Sequence, residues 1–333
     1  MKGLRMRGVL VLLPVLMALP GVIARAQNPD PTAPAKYGFG FRNFADTMYT
    51  WDIYCHSYFG VPIDPSQTWG TATFDRLFFE QVFKRKLPNP AGDTVGLGSC
   101  FGISLMSLMM NRFGGYYGYC SPTSAYRGDT NHTNPKGPDD HTLHRIIDIM
   151  HGRQFSLAAV ETYLDQFLTE PSTDSRKGFS RAQETIQKEG PCLVSITAKT
   201  NPTDGSGGHT LIAYGATGTV TQGKIWVVDP NRLWAVNTSY DRGWYQGDSN
   251  YINCNLTNGN WNFRMAGDTL DWPLGGTGNI IILPLSLVGP PGRVPSSLGF
   301  AVGELLAKLF FSDGSGETPG EDILRHRAVR PER

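Results

Sequence analysis

The stretch CLVSITA at residues 192–198 is where the chain changes its period. After it come HTLIAY at 209–214 and KIWVV at 224–228, β-branched and apolar runs bounded by turn residues, which read as successive strands. IIIL at 280–283 reads as a late strand of the same kind. Upstream the spacing is helical. Residues 100–111 are apolar almost all round (Phe101, Ile103, Leu105, Met106, Leu108, Met109, Met110), the pattern of a central buried helix, with Arg112 in the last turn and Gly114-Gly115 as its stop. A second helix is expected over 140–151, stopped by Gly152. A third opens at Ser156 with Phe155 and Val160 at staple positions, and a fourth opens on the capping box Ser180 and Gln183 and ends at Gly190. Helices first and strands afterwards make this an α+β chain with the two segregated.

The flanks divide the rest. Residues 27–36 are rich in Pro and Ala, and residues 37–83 are dense in aromatics, among them Trp51, Tyr54, Tyr58, Phe59, Phe78 and Phe79, a density that implies packing onto the body. Beyond the late strand, 289–295 (GPPGRVP) is a linker, 298–311 an amphipathic helix and 313–333 a charged tail expected to be disordered. The expected organisation is a signal peptide at 1–26, an N-terminal aromatic segment or prosegment at 27–90, the main domain at 91–288 and a tail at 289–333.

With 333 residues, 40% of them hydrophobic, the chain has material for a sizeable core, and a formal charge of +1 does not suit a nucleic-acid binder. Lys2, Arg5 and Arg7, the apolar run to Ile23 and the small residues around Ala24-Arg25-Ala26 read as an export signal cut before Gln27. Pro14 and Pro20 interrupt that run, which argues against a membrane anchor. Four of the 30 basic residues lie in the signal, so the processed chain carries 26 against 29 acidic ones. The expected location is secreted or extracytoplasmic, periplasmic in a Gram-negative cell, with no stable membrane span after cleavage.

Export permits disulfides, and five cysteines cannot all pair. Cys55, Cys120, Cys192 and Cys254 are the candidates for two bridges, in any of three pairings, leaving Cys100 free; the alternative is five reduced, buried thiols. Cys100, in Gly98-Ser99-Cys100-Phe101-Gly102, begins the buried helix, where the helix dipole and unpaired backbone N–H groups favour a thiolate. His209 follows Gly207-Gly208 at a loop-to-strand junction, a rigid yet open place for a general base. Asp229, in Val228-Asp229-Pro230-Asn231, closes the next strand, and a hairpin of that length sets it beside His209 to orient the imidazole and stabilise its charged form. Asn231, on the same strand face, is the rival orienter. His144, Asp148 and His151 lie at i, i+4 and i+7 of the second helix, a spacing that reads better as a helix face than as a zinc site. Neither metal nor cofactor is expected.

With GSCFGISL, GGHTLIAYGA and WVVDPN in the order Cys, His, Asp, the chain resembles the papain-like cysteine peptidase superfamily over roughly residues 90–235. The spacings are more similar to bacterial exported and double-glycine leader peptidases than to plant papains, which place an Asn in the third role. The resemblance implies a central nucleophile helix packed on an antiparallel sheet, with Cys100 as nucleophile, His209 as base and Asp229 as orienter. The activity it implies is hydrolysis of peptide or protein substrates through a thioester. The family has a Gln six residues before the nucleophile as oxyanion donor. Here that position is Thr94, leaving Thr94, Asn89 and Ser99 as candidate donors. Transglutaminase-like or amidase-like acyl transfer, and an inactive secreted binding protein on the same scaffold, are the alternative functions.

Overall fold

The computed structural model describes residues 30–44, 49–62, 75–76, 78–84, 98–129, 136–169, 174–197, 208–234, 250–264, 272–273 and 278–291. The signal at 1–26 and the tail at 292–333 fall outside them, as do Thr94, Asn89, most of the 84–98 loop and the 199–207 loop before His209. No helix among the described residues is long and apolar enough to cross a membrane.

The elements in chain order are α1 (Ala33–Tyr37), α2 (Trp51–Tyr58), a π-helical turn (Phe79–Phe83), α3 (Cys100–Phe113), α4 (His141–Gly152), α5 (Leu157–Thr169), α6 (Ser175–Glu189), β1 (Cys192–Thr197), β2 (Gly208–Gly218), β3 (Gln222–Val228), β4 (Tyr251–Asn255), β5 (Trp261–Asn262), β6 (Ile280–Leu283) and α7 (Leu285–Val288). The strands form one antiparallel sheet, order β5-β4-β3-β2-β1-β6, curled into a half-barrel. The chain is therefore α+β, helices first.

Alternation along the strands explains the layering. Leu193, Ile212, Val228, Ile281 and Leu283 pack with the aromatic and methionine core of α2 to α5, while Val194, Ile196, Leu211, Ala213, Val227 and Ile282 pack under Phe179 and Ala182 of α6. Both faces are covered, which is why these strands read as continuous apolar runs. The amphipathic α6 needs only one such face. It begins at Ser175, with the Asp174 carboxylate accepting from the Arg176 N–H at 3.0 Å, rather than at the expected Ser180. Ser180 lies mid-helix. Two further strands, β4 and β5, were not legible as strands, because Asn residues fill alternate positions of YINCN and only one face of them is buried.

The other helices begin as expected. Asp140 caps α4 by accepting from the Thr142 and Leu143 N–H groups, and Ser156 caps α5 with Phe155 and Val160 buried beside it. The N-terminal aromatics are core: Phe39, Phe41, Tyr49, Tyr54, Tyr58, Phe78 and Phe83 join the cluster around α3.

The five cysteines are thiols in this structure, four buried and Cys120 exposed. Cys192 and Cys254 sit on β1 and β4, three strands apart, roughly 14 Å at sheet spacing and beyond disulfide reach.

α3 is the centre of the molecule. Leu105, Met106 and Met110 are completely buried, so truncating one to Ala costs about 2–5 kcal/mol. Its first turn crosses α4 at backbone distance. A Cβ on Gly102 would lie 2.2 Å from the Ile147 carbonyl oxygen and 2.8 Å from the His151 Cβ, so only glycine fits there.

Candidate active site

β2 and β3 are consecutive strands whose ladder runs through Ala213↔Val227 and Ile212↔Val228 toward its open end. His209 stands at that end of β2, and Asp229 is the residue just past β3. The pair meets diagonally: His209 Nε2 and Asp229 Oδ1 are 2.8 Å apart, both residues almost wholly buried. Asp229 also opens a turn with proline at its second position, in which the Arg232 N–H donates to the Asp229 carbonyl at 3.0 Å and the Asn231 N–H to Oδ1 at 2.8 Å. The turn thus aims the carboxylate. Asn231, expected as the rival orienter, serves Asp229 through its backbone, and the carboxylate holds the imidazole.

Nε2 is committed to Asp229, and Cys100 is close enough to the imidazole to act on its charge. Cys100 is the first residue of α3, where backbone N–H groups have no intrahelical partners. The three residues expected to act together are brought together, from an α3 terminus, a strand start and a strand end.

Burial alone would lower the basicity of His209, but the charge and hydrogen bond of Asp229, joined by Cys100, reverse this and raise it to about 10. Burial would raise Asp229. The His209 charge and hydrogen bond, the Arg232 charge and the Asn231 N–H instead bring it down to about 2. Such a pair holds carboxylate and imidazolium together at neutral pH. Burial pushes the thiols of Cys192 and Cys254 up to about 12, so they stay protonated.

A buried hydroxyl row braces the strand at the base. Thr210 Oγ1 lies 2.9 Å from Ser195 Oγ, which lies 3.3 Å from the Tyr163 hydroxyl of α5, and Ser104 of α3 donates to the Thr210 carbonyl at 3.2 Å. The strand next to His209 is thereby tied to both helices.

The sequence reading missed the residue that joins the two loops of the site. The Asn43 N–H donates to the Pro230 carbonyl at 2.7 Å, and the neighbouring Phe44 carbonyl accepts from the Ser99 N–H at 2.6 Å. The Asn43 side-chain amide lies against Gly98, where a Cβ would come 2.1 Å from Nδ2. No local motif announces it, because the segment carrying it is distant in sequence from Cys100. Ser99, an expected donor, keeps a buried hydroxyl with no hydrogen-bond partner among the described residues. Arg232 was also missed, although its spacing from Asp229 in DPNR was a signal.

His144 and His151 are structural in their contacts. His144 Nε2 lies 3.8 Å from Asp148 Oδ2, the Tyr49 hydroxyl donates to Asp148 Oδ1 at 3.3 Å, and His151 Nε2 meets the Gln154 amide at 3.0 Å. Among the described residues no cluster of His, Cys, Asp and Glu is arranged to hold a metal. Comparison with protein-family models, with curated proteins and with solved structures finds no match to this chain.

Proposed function

We propose that the chain is an exported thiol hydrolase of the papain-like kind, cleaving peptide or amide bonds through Cys100, His209 and Asp229. The observation that carries the reading is the buried His209–Asp229 pair at 2.8 Å, with Cys100 at a helix N-terminus among the groups that act on the imidazole. The Cys100 thiolate attacks the carbonyl carbon, and the tetrahedral intermediate collapses as the His209 imidazolium gives its proton to the leaving amine, which leaves a thioester. His209 then takes a proton from water, the resulting hydroxide cleaves the thioester, and acid and thiolate are released. The oxyanion sits against the Cys100 backbone N–H, and Asn43 supplies the second donor in place of a glutamine.

The test is labelling of the processed chain at neutral pH with iodoacetamide, in a Cys120→Ser background because that thiol is exposed. Labelling is expected in the parent and absent in Cys100→Ala. Equal labelling of the two folded proteins defeats the reading.

A further inference from the structure

We propose that Arg232 is a positioning residue of this site, a buried guanidinium that claims one oxygen of Asp229 so that the other is presented to His209, and that completes the charge balance of the set. The inference rests on the thiol hydrolase reading. Asp229 has cationic neighbours on both oxygens: His209 Nε2 at 2.8 Å from Oδ1, and Arg232 Nε at 3.6 Å from Oδ2, an ion-pair distance. Arg232 is only 1% exposed, and a guanidinium persists at such depth only where its charge is met.

Its position is fixed twice more. Its backbone N–H closes the turn onto the Asp229 carbonyl, and its Nη2 donates to the Arg264 carbonyl at 3.3 Å, so the side chain is held from the β5 side of the sheet while its own turn holds its base. A positive charge beside Oδ2 opposes rotation of the carboxylate away from the histidine. Thiolate, imidazolium, carboxylate and guanidinium also sum to zero charge. Without Arg232 the same buried set would carry one net negative charge whenever the thiolate formed, and protonation would relieve it.

Among the described residues, two tyrosines and an arginine carbonyl face this set. Tyr163 of α5 lies near Cys100, where burial holds its hydroxyl protonated, and Tyr37 of α1 lines a small cavity with Ser104, Asp229 and Arg232. Arg264 meets Arg232 through its backbone carbonyl.

The experiment uses the processed chain with Cys120→Ser and follows the rate of Cys100 alkylation by iodoacetamide from about pH 4 to about pH 10. In Arg232→Gln, loss of a neighbouring positive charge makes every protonation easier, so the half-maximal pH moves up by about one unit. Arg232→Lys keeps the charge without the planar fork, so its half-maximal pH stays at the parent value while the plateau rate falls severalfold. A folded Gln variant with the parent midpoint overturns the proposal. Should the Gln variant not fold, a Lys variant whose midpoint rises by a full unit overturns it equally. The imidazole titration of His209, followed by NMR in Cys100→Ala, reads the same contact without the thiol, and Arg232→Gln is expected to move it upward. That shift, found in a protein whose Cys100 does not alkylate, would sink the hydrolase reading and leave the Arg232 contact standing; an unchanged titration would sink the contact itself.

Discussion

His209 and His151 are both almost completely buried, yet burial ends in opposite charge states. His209, at the end of a central strand, is raised to about 10, whereas His151, inside the helical layer, is lowered to about 3. Desolvation pushes both the same way, toward the neutral ring. The difference lies in what each ring touches: His209 has a carboxylate at 2.8 Å, and His151 has the neutral Gln154 amide and the ring of Tyr49. Asp148 lies three residues before His151 on the same helix, but its carboxylate is turned to Tyr49 and His144. A buried histidine becomes a base poised to carry a proton only when its fold delivers an anion to it.

Removing that anion is the strongest way to break the contrast. Asp229→Ala is expected to drop His209 below its ordinary 6.5, into the same state as His151, and to lower turnover of a peptide or amide substrate by about 10⁴-fold. NMR titration of the imidazole and kcat measure the two effects separately, and a His209 that stays charged at neutral pH contradicts the account.

Asn43→Ala tests whether histidine chemistry and oxyanion binding are separable. Turnover is expected to fall about 10²–10³-fold with the pH profile in place, because His209 and Asp229 are untouched. A shifted profile at unchanged kcat would assign Asn43 to the base instead.

The converse graft is Gln154→Glu, which brings a carboxylate to His151. Its titration should rise from about 3 to above 6.5, and if it does not, charge proximity is weaker than burial in this core.

The pH dependence of stability follows from the same groups. His151 is lowered, so the unfolded chain takes up its proton first, and stability falls by up to about 1.4 kcal/mol per pH unit below 6.5. Asp229, lowered from 3.8 to about 2, contributes stability that is present above 3.8 and lost as pH falls through 2. His209 is raised, so its contribution is full below 6.5 and lost as pH rises toward 10. Urea unfolding across pH should therefore show a maximum near neutrality. The smallest change expected is His151→Phe, costing about 1 kcal/mol at pH 7 through the lost Gln154 contact while flattening the acid arm.

Much of this was legible in the chain because it is local. The all-round apolar stretch that became α3 and the β-branched runs of β2 and β3 state their own burial, and Cys100, His209 and Asp229 sit at the ends of those elements, where a sequence pattern changes. The true start of α6 was hidden, because Gly178 and a polar first turn mask its opening and Ser180 mimics a cap. β4 was hidden by its asparagines. Asn43 was not legible, since its role depends on a segment from the other end of the domain settling between the Cys100 and Asp229 loops. Arg232 was half legible, its spacing from Asp229 visible but its burial decided by tertiary contacts such as that with the Arg264 backbone.

The crossing at Gly102 joins the two histidines mechanically. The methylene of His151 lies under the first turn of α3, two residues from Cys100, at a point where no side chain separates the helices. A proton on His151 would draw water toward that floor and loosen it. Acid should then shift Cys100 relative to His209 while most of the sheet is still intact.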